Sequence, residues 1–283
     1  ARIKGVFKIG GLTSTNPIAV GDEVDMQIEA VLEESAMIDT ICDRKNYVAR
    51  VSPHNKHQHH IIAANLDQSL LFATLKDPKT SQGFIDRFLI SCEAYHIPAI
   101  IVFNKSDLYK QKELDHFAHL QKIYSNIGYQ VMLCSVEKNK GVEEIAALLE
   151  GKTTLLSGHS GVGKSTFINA VFPSLELRTQ EVSGWSGKGM HTTTFAEMFD
   201  LPTSGAIIDT PGIRELGLVD ISKQELAHYF PEMRAQMGNC HFNNCMHIEE
   251  PGCAVKQALE AGAIAADRYV SYLNILTTMD AAH

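Results

Sequence analysis

No apolar run in this 283-residue chain approaches the ~20 residues that a membrane span needs. No signal peptide opens it. The chain starts at Ala1 rather than Met, so a removed targeting segment stays open. Positive charge is scarce: 25 Lys and Arg stand against 33 Asp and Glu, a formal net charge of −8. That balance argues against a general nucleic-acid-coating protein. It leaves room for a local basic face, to which the 13 histidines can add. Internal repeats and long low-complexity tracts are missing too. Cysteine is sparse except in one place, where three of the six fall within residues 240–253. That clustering suits a metal site in a reducing compartment better than a disulfide framework. The expectation is a cytoplasmic protein without membrane partners, long enough for two or three domains.

Residues 1–60 read as short strands. Val24, Met26 and Ile28 alternate with Asp25, Gln27 and Glu29, the period of a half-buried strand. Further β-prone runs lie at 36–41 and Tyr47–Val51, with Gly5, Gly10, Gly11 and Gly21 supplying turns. The expected module is a small antiparallel barrel like the oligonucleotide-binding fold, incomplete at its N-terminus. A ligand-free β-module fits the same pattern. His54, His57, His59 and His60 read as a solvated connection. Cys42, Cys92 and Cys134 read as core positions.

Over residues 61–220 the pattern changes. Strands at 69–74, Ala99–Phe103, 131–135, Thr153–Ser157 and Ala206–Asp209 are interleaved with helices at 84–95, 142–149 and Lys164–Val171. Such alternation implies a mostly parallel sheet with ligand loops at its carboxyl edge. Residues 221–283 carry no strand pattern, and helices at 224–229 and 254–266 flank the Cys/His segment, giving a small helical domain.

Two motifs identify the central unit. Gly158-His159-Ser160-Gly161-Val162-Gly163-Lys164-Ser165, followed by Thr166, matches the phosphate-binding loop GxxxxGK[ST]. It follows an apolar strand and opens a helix, so backbone N–H groups and the helix N-terminus face the phosphates. Lys164 would neutralise the β- and γ-phosphates, and the Ser165 hydroxyl would ligate Mg²⁺. Asn104-Lys105-Ser106-Asp107 matches the guanine reader NKxD. The Asp107 carboxylate can accept from two guanine donors that adenine lacks, so the wrong base strands a carboxylate. Asn104 can bond the other base edge and bridge loops, and the Lys105 stem can cover the ring. An ordinary P-loop GTPase has the phosphate loop first. Here the base reader precedes it by about fifty residues, so the α/β P-loop GTPase core reads as circularly permuted.

Weaker motifs complete the set. Asp209-Thr210-Pro211-Gly212 fits the DxxG loop, with Asp209 on Mg²⁺ and the Gly212 N–H on the γ-phosphate. Ser135 sits where a loop contacting the guanine carbonyl belongs. The Gly-rich segment 184–194 occupies the switch I position. Thr193 is expected to complete Mg²⁺ coordination, with Thr192 the runner-up. Ile213 stands where Ras-like enzymes carry a water-orienting Gln. Hydrolysis should then be slow alone or borrow a group, either His191 of the switch or a partner's.

Cys240, Cys245, His247 and Cys253 place three thiols and one imidazole within fourteen residues. Cys₃His is a closed tetrahedral zinc set with no open position, so a structural Zn²⁺ is expected. His241 is the alternative to His247.

On the segment from Ile62 to Asp67, Asn104–Asp107, residues 158–166, 187–194 and 209–215, and the Cys/His set, the chain resembles the circularly permuted RsgA (YjeQ) family of small-subunit-dependent ribosomal GTPases. The resemblance implies an N-terminal oligonucleotide-binding barrel, a permuted GTPase core and a C-terminal zinc domain. It also implies late maturation of the small ribosomal subunit, contact with its rRNA, and GTP hydrolysis stimulated by that subunit. A monomer is expected. The alternative is a GTP-dependent rRNA-binding scaffold with little turnover; a third class, a P-loop ATPase or small-molecule kinase, sits poorly with Asn104–Asp107. Replacing Asp107→Asn tests the base reader: in nucleotide competition, xanthine nucleotides should gain on GTP. An unchanged preference would remove Asp107 from that role.

Overall fold

The computed structural model describes residues 2–3, 16–30, 35–51, 59–175, 196–210 and 221–280. The expected switch residues His191, Thr192 and Thr193 lie outside the described residues, as do Gly212 and Ile213 of the DxxG loop.

At the N-terminus, β1 (Arg2–Ile3), β2 (Val24–Ala30) and β3 (Ser35–Ile41) form one sheet in the order β1-β3-β2. The antiparallel β2–β3 pairing carries two register shifts. β4 (Tyr47–Val51) and β5 (His59–Ala64) form a separate antiparallel pair. The described strands thus make two small sheets, with no closed barrel among them. The half-buried alternation expected in β2 does not appear: Asp25, Met26, Gln27 and Ile28 are all exposed, so the apolar side chains of this edge strand cover no core among the described residues. His59 and His60 begin β5 rather than extending a connection, and β5 runs through the boundary expected at residue 60.

The central sheet contains β6 (Gln68–Ala73), β7 (Ala99–Phe103), β8 (Gln130–Leu133), β9 (Thr153–Ser157), β10 (Glu197–Asp200) and β11 (Ala206–Asp209). In space they run β10-β11-β9-β6-β7-β8, all parallel except β10. Cutting the chain before β9 and joining the old ends would give β9, β10, β11, β6, β7, β8. The permutation read from the motifs is therefore built into the sheet order. Every residue of β6 is buried, as a two-sided parallel strand requires. Its side chains alternate between cores. Leu71 and Ala73 pack beneath α1 (Gln82–Ala94) and α2 (Gln111–Asn126). Leu70 and Phe72 pack beneath α3 (Val142–Ala147) and α4 (Lys164–Val171).

Local chemistry sets the helix starts. The Ser81 hydroxyl accepts from the Phe84 N–H and caps α1. The Glu113 carboxylate accepts from the Lys110 N–H at 2.9 Å at the start of α2. The helix expected from 254 to 266 breaks: α7 (Ala254–Glu260) stops before Gly262, which takes a φ of +73°, and α8 (Ala266–Asp280) follows. With α5 (Lys223–Leu226) and α6 (Pro231–Met237) they enclose a third core that includes Ile90 of α1.

Charge is buried where α1 meets this helical unit. Arg268 of α8 is 0 % exposed. Its Nη1 donates to Asp86 at 2.6 Å, and its Nε donates to Glu232 at 2.7 Å. Asp86 also accepts from Tyr124 at 2.8 Å and from the Ser271 hydroxyl. The guanidinium lies 4.6 Å from the Phe230 ring centroid. Burial opposes the charged form of Arg268, and Asp86 and Glu232 outweigh it, so its pKa is raised. Arg268→Ala would strand two buried carboxylates and should lower unfolding stability by about 3–5 kcal/mol in urea titration. Arg268→Lys should recover only part, because an ammonium lacks the planar fork. Breaking the exposed His119–Asp267 pair should cost under about 1 kcal/mol.

Candidate nucleotide and metal sites

The carboxyl ends of β7, β8, β9 and β11 converge on one edge, and four motif loops leave from them. Asn104 follows β7 and is 2 % exposed. Its Nδ2 donates to the Val162 carbonyl at 2.9 Å, inside the phosphate loop. Its Oδ1 accepts from the Val136 N–H at 3.2 Å and from the Cys134 thiol at 3.3 Å. One side chain thus bridges the base-reading loop, the phosphate loop and the loop after β8. A Cβ at Gly163 would stand 2.3 Å from Asn104 Nδ2, so this approach needs glycine. The backbone carbonyl of Asn104 accepts from Tyr109 Oη at 2.7 Å, and Tyr109 accepts from the Leu75 N–H at 3.0 Å. Burial pushes the Tyr109 phenol up to about 12, so it stays a donor at any physiological pH.

Lys105 Nζ donates to the Asp77 carbonyl at 2.6 Å. Ser106 holds the loop through its N–H, which donates to the Cys134 carbonyl at 3.0 Å. Asp107 is exposed, and Ser135 donates to one of its carboxylate oxygens. Ser135 is fully buried and also accepts from the Lys138 N–H at 3.2 Å. A carboxylate steadied on one side and open on the other suits recognition of paired N–H donors.

Gly158 takes a φ of +133° and passes so close to β6 that a Cβ would lie 2.3 Å from the Phe72 carbonyl. Lys164 Nζ donates to the Gly158 carbonyl at 2.7 Å and the His159 carbonyl at 3.2 Å. Burial lowers the Lys164 pKa, with Asp209 opposing that. Burial likewise raises the Asp209 carboxyl, and Lys164 offsets it. Asp209 Oδ1 is buried with no hydrogen-bond partner among the described residues. An orphaned carboxylate oxygen beside Lys164, at the end of β11, fits a divalent cation. Gly161, Ser165 and Thr166 complete the turn into α4, with Ser160 and Thr166 exposed.

Between α6 and α7, the ligand atoms of Cys240, Cys245, His247 and Cys253 all lie within 4.8 Å of one another. His247 Nδ1 is 3.4 Å from Cys253 Sγ and 3.7 Å from Cys240 Sγ. Such spacings fit the edges of a tetrahedron around one zinc-sized ion. His247, not His241, is the imidazole grouped with the three thiols, and His241 packs edge-on against Phe242. The Tyr269 and Tyr272 hydroxyls donate to the His247 and Met246 carbonyls at 2.6 and 2.7 Å, fixing the ligand loop to α8.

A family model for RsgA GTPases matches residues 41–219. The small ribosomal subunit biogenesis GTPase RsgA of Cytophaga hutchinsonii is 54% identical over 99% of this chain and 91% of its own length. Its namesake in Bacteroides fragilis is 51% identical over 97% of this chain and 88% of its own length. The chain belongs to the RsgA GTPase family. Among solved structures it is similar to YjeQ from Thermotoga maritima, with a TM-score of 0.78 and 35% identity over 98% of this chain and 88% of that one. It is also similar to YloQ, described as a circularly permuted GTPase, at TM-score 0.73 and 31% identity over 99% and 86%. The chain therefore has a circularly permuted GTPase fold.

Sequence reading missed two supports of the RsgA site. Tyr109 buttresses Asn104 from five residues downstream, and Phe84 of α1 stacks on His159. Neither sits in a motif, and Phe84 approaches only through tertiary packing. The zinc-compatible cluster yields a direct test. The purified chain should carry one zinc per molecule, and Cys253→Ser should lose it and lower the melting temperature by several degrees. Metal analysis showing no zinc, with stability unaffected by chelator, would contradict the assignment.

Proposed function

We propose that this chain hydrolyses GTP during maturation of the small ribosomal subunit, as the names of its relatives state for them. The Asn104–Val162 hydrogen bond carries this reading. It ties a base reader to a phosphate loop across the permuted junction, and a nucleotide fitting both must present guanine and phosphates together.

Each residue then has a part. Asp107 accepts from the guanine N–H groups, Ser135 holds Asp107 in place, and Lys105 covers the base. Backbone N–H groups of residues 158–166 surround the phosphates, and Lys164 moves from the Gly158 and His159 carbonyls onto them. Ser165 and Asp209 would hold Mg²⁺, and Thr193 would join them. Gly212 meets the γ-phosphate, and His191 is the candidate for orienting water. Mg²⁺ would supply charge neutralisation at the β- and γ-oxygens, and the Cys₃His set would hold a structural Zn²⁺.

The wider reading keeps three units: an oligonucleotide-binding-type barrel over 1–60, the GTPase core over 61–220 and the zinc domain over 221–283. The chain would act as a cytoplasmic monomer on the subunit and its rRNA. Among the described residues no helix is long and apolar enough to cross a membrane. Ile213 in place of a water-orienting Gln favours turnover that waits for a partner. Phosphate release should therefore be slow for the isolated chain and rise at least about tenfold with small subunits, an effect of the size a supplied catalytic group gives. Large subunits should leave it unchanged. Full-speed hydrolysis without ribosomes would overturn the reading.

A further inference from the structure

α1 touches both halves of the molecule. In its first turn, Phe84 stacks on His159 of the phosphate loop, with ring centroids 3.8 Å apart and planes inclined by 30°. Beyond Phe84, successive turns are tied to the C-terminal helices. Asp86 bonds Arg268 and Ser271. Arg87 donates to the Thr278 hydroxyl at 2.7 Å. Ile90 lies in the apolar cluster formed by α5 to α8. Glu93 accepts from Arg234 at 3.0 Å. A 13-residue helix held along this length cannot shift at one end alone.

The other end of the contact is sensitive to phosphate. His159 lies between Gly158 and Ser160, and its carbonyl accepts from Lys164 Nζ. Lys164 also holds the Gly158 carbonyl. A bound phosphate draws the ammonium away from both carbonyls, because the anion is the stronger partner. The backbone that carries the His159 ring then loses its cation, and the ring's seat on Phe84 changes with it.

We propose that Phe84 is a positioning residue for the nucleotide reaction, acting through His159. α1, anchored at Asp86, Ile90 and Glu93 on the C-terminal domain, holds the Phe84 ring, and that ring sets the phosphate loop. Because coupling between sites is reciprocal, phosphate occupancy is reported back along α1 to α8. This route rests on the GTP reading of the site. It gives a partner docked on the zinc domain a direct handle on the phosphates.

Hydrogen exchange of α8 in the full chain, with and without a saturating non-hydrolysable GTP analogue, tests the route. The analogue should slow exchange across Ala266–Asp280 in the wild type and in Phe84→Tyr, which keeps the ring. In Phe84→Ala and His159→Ala that response should vanish, while the analogue still binds about three- to tenfold more weakly, the size of one lost aromatic contact. Wild-type binding with no response in α8 would overturn the proposal. So would a full response in both alanine variants. Should Phe84→Ala fail to fold, His159→Ala carries the same test. Failure of the wild type to bind the analogue would overturn the GTP reading itself, and is separable because binding is measured alongside exchange.

Discussion

A guanidinium with no access to water is the constraint on which much of this molecule turns. Arg268 can stay charged in the interior only if Asp86 and Glu232 stay with it. Asp86 belongs to a helix of the α/β core, whereas Glu232 and Arg268 belong to the helical C-terminal unit. Separating the two units would expose apolar surface around Ile90 and Phe230 and leave three ionised groups unpaired in a half-dry cleft. A buried ion triad gives little net stability beside an apolar core of equal shape. Its effect here is geometric: it fixes the rotation and register of α8 against α1, and through the Tyr269 and Tyr272 hydroxyls it fixes the metal-ligand loop as well.

The permuted order gains a physical meaning from that arrangement. In the spatial order β10-β11-β9-β6-β7-β8, the strand that feeds the phosphate loop lies beside the strand that begins the domain. The Asn104 amide closes the junction from the base-reading side. The chain therefore assembles its nucleotide edge from two sequence halves read in the wrong order. α1, from the early half, packs against the helical unit through Ile90.

The sequence made the site more legible than its supports. Phosphate and base loops announce themselves because backbone approach demands glycine at Gly158 and Gly163, and guanine selection demands a carboxylate at Asp107. The metal set is legible for the same reason: Cys240, Cys245, His247 and Cys253 offer soft donors at close spacing. Only the grouping of His247 rather than His241 with the thiols needed three dimensions. The sheet strands were readable where apolar runs were continuous, as in β6 and β7. α2 escaped notice, because its exposed surface is polar and its buried residues, Phe117, Leu120, Ile123 and Tyr124, are few. α7 and α8 read as one helix until Gly262, where a positive φ ends the first. Phe84 and the Arg268 network carry no local signal at all, because their partners lie tens to hundreds of residues away; Tyr109 has Asn104 only five residues upstream, but no motif marks it.

The central claim is that the buried charge network makes the α/β core and the C-terminal helices one cooperative unit. Native-state hydrogen exchange in increasing sub-denaturing urea measures this most directly, because it reports the opening free energy of each helix separately. The account predicts that amides of α1, α8 and β6 merge into one opening isotherm and exchange together at the global unfolding free energy. Amides of α8 that open well below that of α1, on an isotherm of their own, would show two units merely in contact and would contradict it.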